Sequence, residues 1–255
     1  MSQMTQRVGP VQISVPSHYS GTVVIEDTMF LPSGPNQVAV ECEWPRADSI
    51  VAPTLLMRNC TITPGFINGV WIHNGWHACF QNVNIYGAYD NLTLGNGFII
   101  DGESMAVTID ACQVYHAITG VLVVGSAEGT TISNSSFAGV VHGVWAQPSS
   151  GGQEPWLNIA DTHIAASRVG IMAQDRNGVS VHHSLIYRHD RYGDPNWDGI
   201  ILRGATEDVA LDHVWINADP ANTGRTGNYW AVRNETVHGL LSQRIFARGC
   251  SERGA

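Results

Sequence analysis

The sequence has no lysine. All 13 of its basic side chains are arginine, which excludes a lysine nucleophile or Schiff base. It also lacks any basic run, and a formal net charge of −9 argues against a surface that neutralises phosphates, so no nucleic-acid partner is expected. No stretch of 18 apolar residues occurs, and no membrane insertion is expected. The opening residues, MSQMTQRVGPVQISVPSHYSG, show neither an apolar h-region nor a small-residue cleavage site, so Sec export is not expected. The five cysteines (Cys42, Cys60, Cys79, Cys112, Cys250) are odd in number and never in CxxC spacing, which indicates neither a disulfide framework nor a zinc site. His182, His183, His189 and His213 show no HxH or HxxxH spacing with a third ligand, and there is no phosphate loop or nucleophile elbow. Neither a metal nor a cofactor is therefore expected.

What the chain does have is glycine (27 residues), few charges, and aliphatic residues spread evenly instead of grouped in heptads, the composition of a loop-rich all-β protein. It also has a repeat. Segments ending at Ile62, Ile85, Val114, Phe137, Ile164, Ile186 and Ile216 align when counted back from their last residue. Five places earlier stand Met57, Phe80, Ile109, Ile132, Ile159, Val181 and Leu211, and two places earlier stand Cys60, Val83, Cys112, Ser135, Thr162, Ser184 and Val214. Apolar or small residues thus fall at −7, −5, −2 and 0. Alternation marks a strand with one buried face, and the skipped step between −5 and −2 marks a corner. The corner pairs are polar or small, from Arg58-Asn59 to Asp212-His213. A glycine then precedes an apolar strand at Gly69, Gly97, Gly120, Gly143, Gly170 and Gly199, as expected where a tight turn needs positive φ.

With 22 to 30 residues between terminal positions, one rung cannot bury its own inward row, whereas stacked rungs bury a continuous column. The predicted fold is an all-β, right-handed parallel β-helix (a solenoid) of about 7 to 9 rungs. Cys60 and Cys112, at the same inward position, are read as small buried residues. Residues 38–246 are assigned to the coil, 1–37 to an amino-terminal cap or attachment segment, and 247–255 to a frayed tail.

Three rungs swell at one corner, after Ile85, Ile186 and Ile216, and insertions on one face of a repeat protein often form its binding face. Tyr86, Tyr89 and Asp90 belong to the first insertion. The second carries Tyr187, Arg188, His189, Asp190, Arg191, Tyr192, Asp194, Trp197 and Asp198. Aromatic plates stack on sugar rings, while carboxylates and guanidinium groups bind hydroxyls or uronates. The same residue types also serve protein interfaces, and both readings stay open.

On this repeat the chain resembles the pectin-lyase-like superfamily of β-helices, and within it bacteriophage tailspikes and minor tail fibres. The resemblance implies a homotrimer in the virion's tail, among other phage tail proteins, that contacts host surface polysaccharide. Asn196-Trp197-Asp198-Gly199-Ile200 also resembles the Asn-Thr-Asp-Gly-Ile stretch of polygalacturonase-type glycosidases. The family's Asp-Asp pair is matched at best by Glu207-Asp208, and its Gly-His-Gly and Arg-Ile-Lys are missing. Hydrolysis needs two carboxyls, about 5 Å apart for retention or about 6.5 to 9.5 Å for inversion. Asp190, Asp194, Asp198 and Asp212 are the candidates. A calcium-dependent lyase would use several of the same Asp residues, with Arg188 or Arg203 as base, but no DxDxDG-like loop supports it. A glycan-binding tail protein is the expectation, with a polysaccharide depolymerase as the alternative.

Overall fold

In the computed structural model, residues 4–16, 21–45, 55–147, 156–189, 195–219, 227–236 and 242–250 are described. Among them are 22 strands, from β1 (Thr5–Val8) to β22 (Ser242–Arg248), and no helix. All the pairings among the described residues are parallel, and each strand between the first and last coils lies on the strand one coil earlier and one coil later. The chain is a right-handed parallel β-helix.

The register reproduces the columns of the sequence repeat. Met57 faces Phe80, Phe80 faces Ile109, and the column continues through Ile132, Ile159 and Val181 to Leu211. The column of terminal residues, Ile62 to Ile216, pairs in the same unbroken way. Both columns are buried, and full burial of each such side chain contributes roughly 1.5–3 kcal/mol. The pairing also reaches residues expected to form a cap: Ile25 faces Met57, Phe30 faces Ile62, and β1 pairs with β4 (Thr28–Leu31). At the other end it runs through Ala247 and Arg248 of β22, while residues 251–255 lie outside the described part.

The skipped step has a local cause. At each corner the residue three places before the terminal position is left-handed: Asn59, Asn82, Ala111, Asn134, Asp161, His183 and His213 have φ of 48–52°. Asn, Asp and His visit this region most readily, and Ala111 is the departure. The residue that follows points inward and ties the corner shut. Ser135 Oγ donates to Ser133 O at 2.6 Å, Thr162 Oγ1 to Ala160 O at 2.7 Å, and Cys112 Sγ to Asp110 O at 3.2 Å. Burial pushes the Cys112 thiol up to about 12, consistent with an inert packing role.

The ladder glycines do not serve positive φ. None of Gly69, Gly97, Gly120, Gly143, Gly170 and Gly199 has it. They are needed for close approach: a Cβ on Gly143 would lie 2.4 Å from Gly170 O and 2.3 Å from Ile164 Cγ2, and one on Gly170 would lie 2.4 Å from both Gly199 O and Ile186 Cγ2. Each glycine makes room for the next rung's backbone and for an inward side chain of the core column.

Candidate functional site

The site is built on the outer face of four successive strands: β14 (Ser136–Ala146), β16 (His163–Gln174), β19 (Asn196–Gly204) and β21 (Asn228–Thr236). Parallel register sets residues from different rungs side by side. One row reads His142, Val169, Asp198, Trp230, and the next reads Trp145, Met172, Ile201, Arg233. A third places Arg203 beside Glu235. Val169, Met172 and Ile201 pack with Trp145 as an apolar floor separate from the coil's core. Around it opens a groove of about 470 Å³, whose lining also includes Arg168, Asn196 and Asn228.

Asp198 is the centre of this groove. It is 6% exposed, its Oδ2 lies 2.9 Å from Arg233 Nη2, and its Oδ1 is buried without a hydrogen-bond partner. Burial pushes its carboxyl above the usual range, opposed chiefly by the Arg233 guanidinium. Arg233 Nε reaches Glu235 Oε1 at 3.2 Å, and Glu235 Oε2 accepts from Arg203 Nε at 2.6 Å. One guanidinium therefore bridges two carboxylates, only one of which is desolvated. Arg168, Arg203 and Arg233 against Asp198 and Glu235 leave the groove formally one charge positive on a chain of net −9.

The other predicted residues are dispersed. Trp197, expected as an exposed sugar-stacking plate, is fully buried, and its Nε1 donates to Ala166 O at 3.0 Å. It sits opposite Tyr229, also buried, at a position of the strand that faces the core. Arg188, expected to meet a glycan, is 5% exposed: its Nη1 donates to Tyr229 Oη at 2.6 Å, and its guanidinium carbon lies 4.4 Å from that ring's centroid. The guanidinium is thus packed into the wall of the coil against Tyr229 and is not offered to a ligand. The backbone N–H of the half-buried His189 donates to Ala166 O. Asp212 lies at a corner beside His213 and Arg244, on a different strand from Asp198, and does not join the groove. Asp190, Arg191, Tyr192 and Asp194 lie outside the described residues.

Tyr86 and Tyr187 do share a corner row, which runs Tyr86, Tyr115, Ala138, Ala165, Tyr187. Four rungs separate the two, about 19 Å at strand spacing. Tyr86 stacks on Tyr115 with centroids 5.5 Å apart, and the exposed Tyr89 meets His116 edge-on at 5.1 Å. Asp90 is exposed beside them. Tyr187 instead contacts the His163 ring at 5.1 Å. These residues make a separate outer strip.

The sequence reading did not single out Arg168, Arg233, Glu235, His142, Trp145 or Trp230. A signal existed: His142, Val169, Asp198 and Trp230 each precede the ladder glycine or its alanine equivalent, Ala231. Stacking that outward column would have grouped them.

Comparison with known proteins agrees with this architecture. The family model described as the right handed beta helix region matches residues 49–204, more than half of the chain, and the protein belongs to that family. Among solved structures, the Dettilon tailspike protein is similar at TM-score 0.40 and 12% identity, covering 90% of this chain. The chain spans 62% of that tailspike's length. The A-module of an Azotobacter vinelandii mannuronan C-5 epimerase gives TM-score 0.38 at 14% identity, covering 95% of this chain and 82% of that one. The catalytic domain of a GH87 α-1,3-glucanase gives 0.34 at 10%, covering 93% and 63%. No curated protein matches the sequence.

Proposed function

We propose that the groove around Asp198 binds an acidic polysaccharide. The observation that carries this reading is a buried carboxylate whose Oδ1 has no hydrogen-bond partner, set in an open groove between tryptophan rings and arginines. An orphaned buried acceptor costs about 1–3 kcal/mol unless something supplies it with a donor. A sugar hydroxyl is such a donor. Trp145 and Trp230 offer plates for the apolar faces of the rings, and the positive balance of the groove favours uronate or other carboxylate-bearing sugars over neutral ones. The chain then acts as a surface-glycan receptor. In the finer reading it is a bacteriophage tail component of tailspike or minor fibre type, part of the virion, that contacts the host cell. The homotrimer belongs to this finer reading. Leu185, Trp215 and Phe246 form an exposed apolar strip, with the last two rings stacked at 4.6 Å, which suits contact with another chain.

A second reading, a polysaccharide depolymerase, is favoured by one feature: the raised carboxyl of Asp198 stands near a second carboxyl group, that of Glu235, across Arg233. One gel-filtration experiment separates the readings. The protein is incubated with uronate-rich and with neutral bacterial polysaccharides while polymer size and protein elution are followed, and its own mass is read by light scattering. Co-elution with the acidic polymer, weakened about tenfold or more by Trp145→Ala and by Arg233→Ala, is the expected result. Shortening of the polymer that Asp198→Asn abolishes would establish the depolymerase. No interaction with either polymer overturns the glycan reading, and a monodisperse monomer overturns the trimer.

A further inference from the structure

Away from the groove, two successive corners bring together residues 30 positions apart in sequence. His183 and His213 occupy the same left-handed corner position in adjacent rungs, φ 49° and 51°. The His183 N–H donates to Asp212 O at 3.0 Å, which fixes the two corners against each other. Their imidazoles stack with centroids 5.3 Å apart and planes 24° from parallel. Asp212 Oδ2 lies 3.0 Å from His213 Nδ1, and Arg244 holds the other carboxylate oxygen. One ligand atom from each of His183, Asp212 and His213 lies within 4.8 Å of the other two.

We propose that His183, Asp212 and His213 form a binding site for a divalent transition-metal ion. Two imidazoles and one carboxylate are a donor set for zinc or nickel; calcium and magnesium prefer all-oxygen sites. The backbone is already positioned, so binding needs only side-chain rotations: the two rings tilt toward a common centre, and the metal replaces the direct hydrogen bond between His213 Nδ1 and Asp212 Oδ2. Arg244, on the far oxygen, orients the carboxylate as an outer-shell partner. His183 is exposed and the other two are half-buried, so the ion has an entry path and keeps open coordination positions. The site would staple β17 (Asn177–His182) to β20 (Glu207–Asn217) across their corner, adding a cross-link near the last rungs of the described coil.

The site also accounts for the choice of residue. Equivalent corners elsewhere carry Asn59, Asn82, Ala111, Asn134 and Asp161, none of which offers an imidazole. This gives a conservative test, since asparagine already occupies the position at three corners with the same φ. The tag-free full chain is titrated calorimetrically with zinc and, separately, with nickel. His183→Asn, His213→Asn and the neighbouring His182→Asn are titrated alongside. Expected are one equivalent bound at micromolar Kd, at least tenfold weaker binding in each of the first two variants, and unchanged binding in the third. A metal-dependent rise in Tm should disappear in the same two variants. Wild-type binding no tighter than millimolar overturns the proposal, and so does binding by His183→Asn and His213→Asn that matches wild type. The proposal is independent of the groove reading.

Discussion

Inside the coil, Met57, Phe80, Ile109, Ile132, Ile159, Val181 and Leu211 meet one requirement seven times over, whereas outside it His142, Val169, Asp198 and Trp230 stand in equally strict register with four different chemistries. The backbone treats both columns alike. Inward side chains must fill a space of nearly constant cross-section, so each rung accepts only what its neighbours accept. Outward side chains answer to water or to a ligand, and neighbouring rungs impose no likeness on them. Register is thus a property of the solenoid, and function is a property of single rows on its surface.

The sharpest way to break the inner column is to fill its glycine ladder. Gly170→Val would place side-chain atoms on Gly199 O and on Ile186, both fixed by the next rung, and neither can retreat without opening the coil. Overpacking by side-chain atoms alone costs about 1–3 kcal/mol, and displacing the Gly199 backbone adds to that, so the coil is expected not to fold at 37 °C, read by circular dichroism. Gly34→Ala is the outer counterpart. A Cβ there meets only Gln37 Nε2 at 3.7 Å, and stability should change by no more than about 0.5 kcal/mol. Equal effects at the two sites would remove the close-packing account of the ladder.

Next in size is Trp197→Ala. Because the indole is wholly buried and bonded to Ala166 O, its removal should lower the stability measured in urea by about 3–5 kcal/mol. Any glycan affinity should survive in the fraction that remains folded. Trp145→Ala, on the floor of the groove, should show the opposite pattern, with weaker binding and a smaller loss of stability.

Trp197 also shows how much of the molecule was legible in the sequence. The repeat gave the strands, the corners and the residue-level register, since every inward position is sampled seven times in one chain. The site has no such redundancy. Asp198 was visible because it lies in the second insertion and in a stretch that resembles Asn-Thr-Asp-Gly-Ile, but its partners Arg233 and Glu235 lie one coil away, at a separation set by an insertion length that obeys no rule. Trp197 and Arg188 misled because they sit in an insertion rich in polar and aromatic residues, where composition says surface, while period two turns both inward. The ladder glycines were found for the wrong reason: φ and close approach both select glycine, and only the distances to Gly170 O and Gly199 O tell them apart. His183 and His213 were set aside as metal ligands because motif spacing is measured along the chain, whereas the solenoid brings position 183 against position 213.

The smallest expected effect tests whether an outer corner contributes to holding the coil at all. Asp110 Oδ1 accepts from Ser133 Oγ and from Asn134 Nδ2, both at 2.8 Å, and these bonds, led by Asn134, hold its carboxyl below the usual range. A carboxylate whose folded-state pKa is depressed contributes stability that is fully present above its unfolded value, near 3.8, and is lost as pH falls through the folded value. Asp110→Asn keeps an acceptor oxygen but removes the charge. The stability difference between wild type and variant should therefore be constant from about pH 7 to pH 5, stay below about 0.5 kcal/mol because the corner is solvent-screened, and shrink toward zero as the solution is acidified below pH 4. A difference that persists at pH 2.5 would mean that the amide disturbs the corner sterically, and the charge-assisted brace across these two rungs would have to be abandoned. If the difference vanishes on acidification, the outer corners do contribute to stability, though far less than the inner column, through the same row-by-row register that assembles the groove.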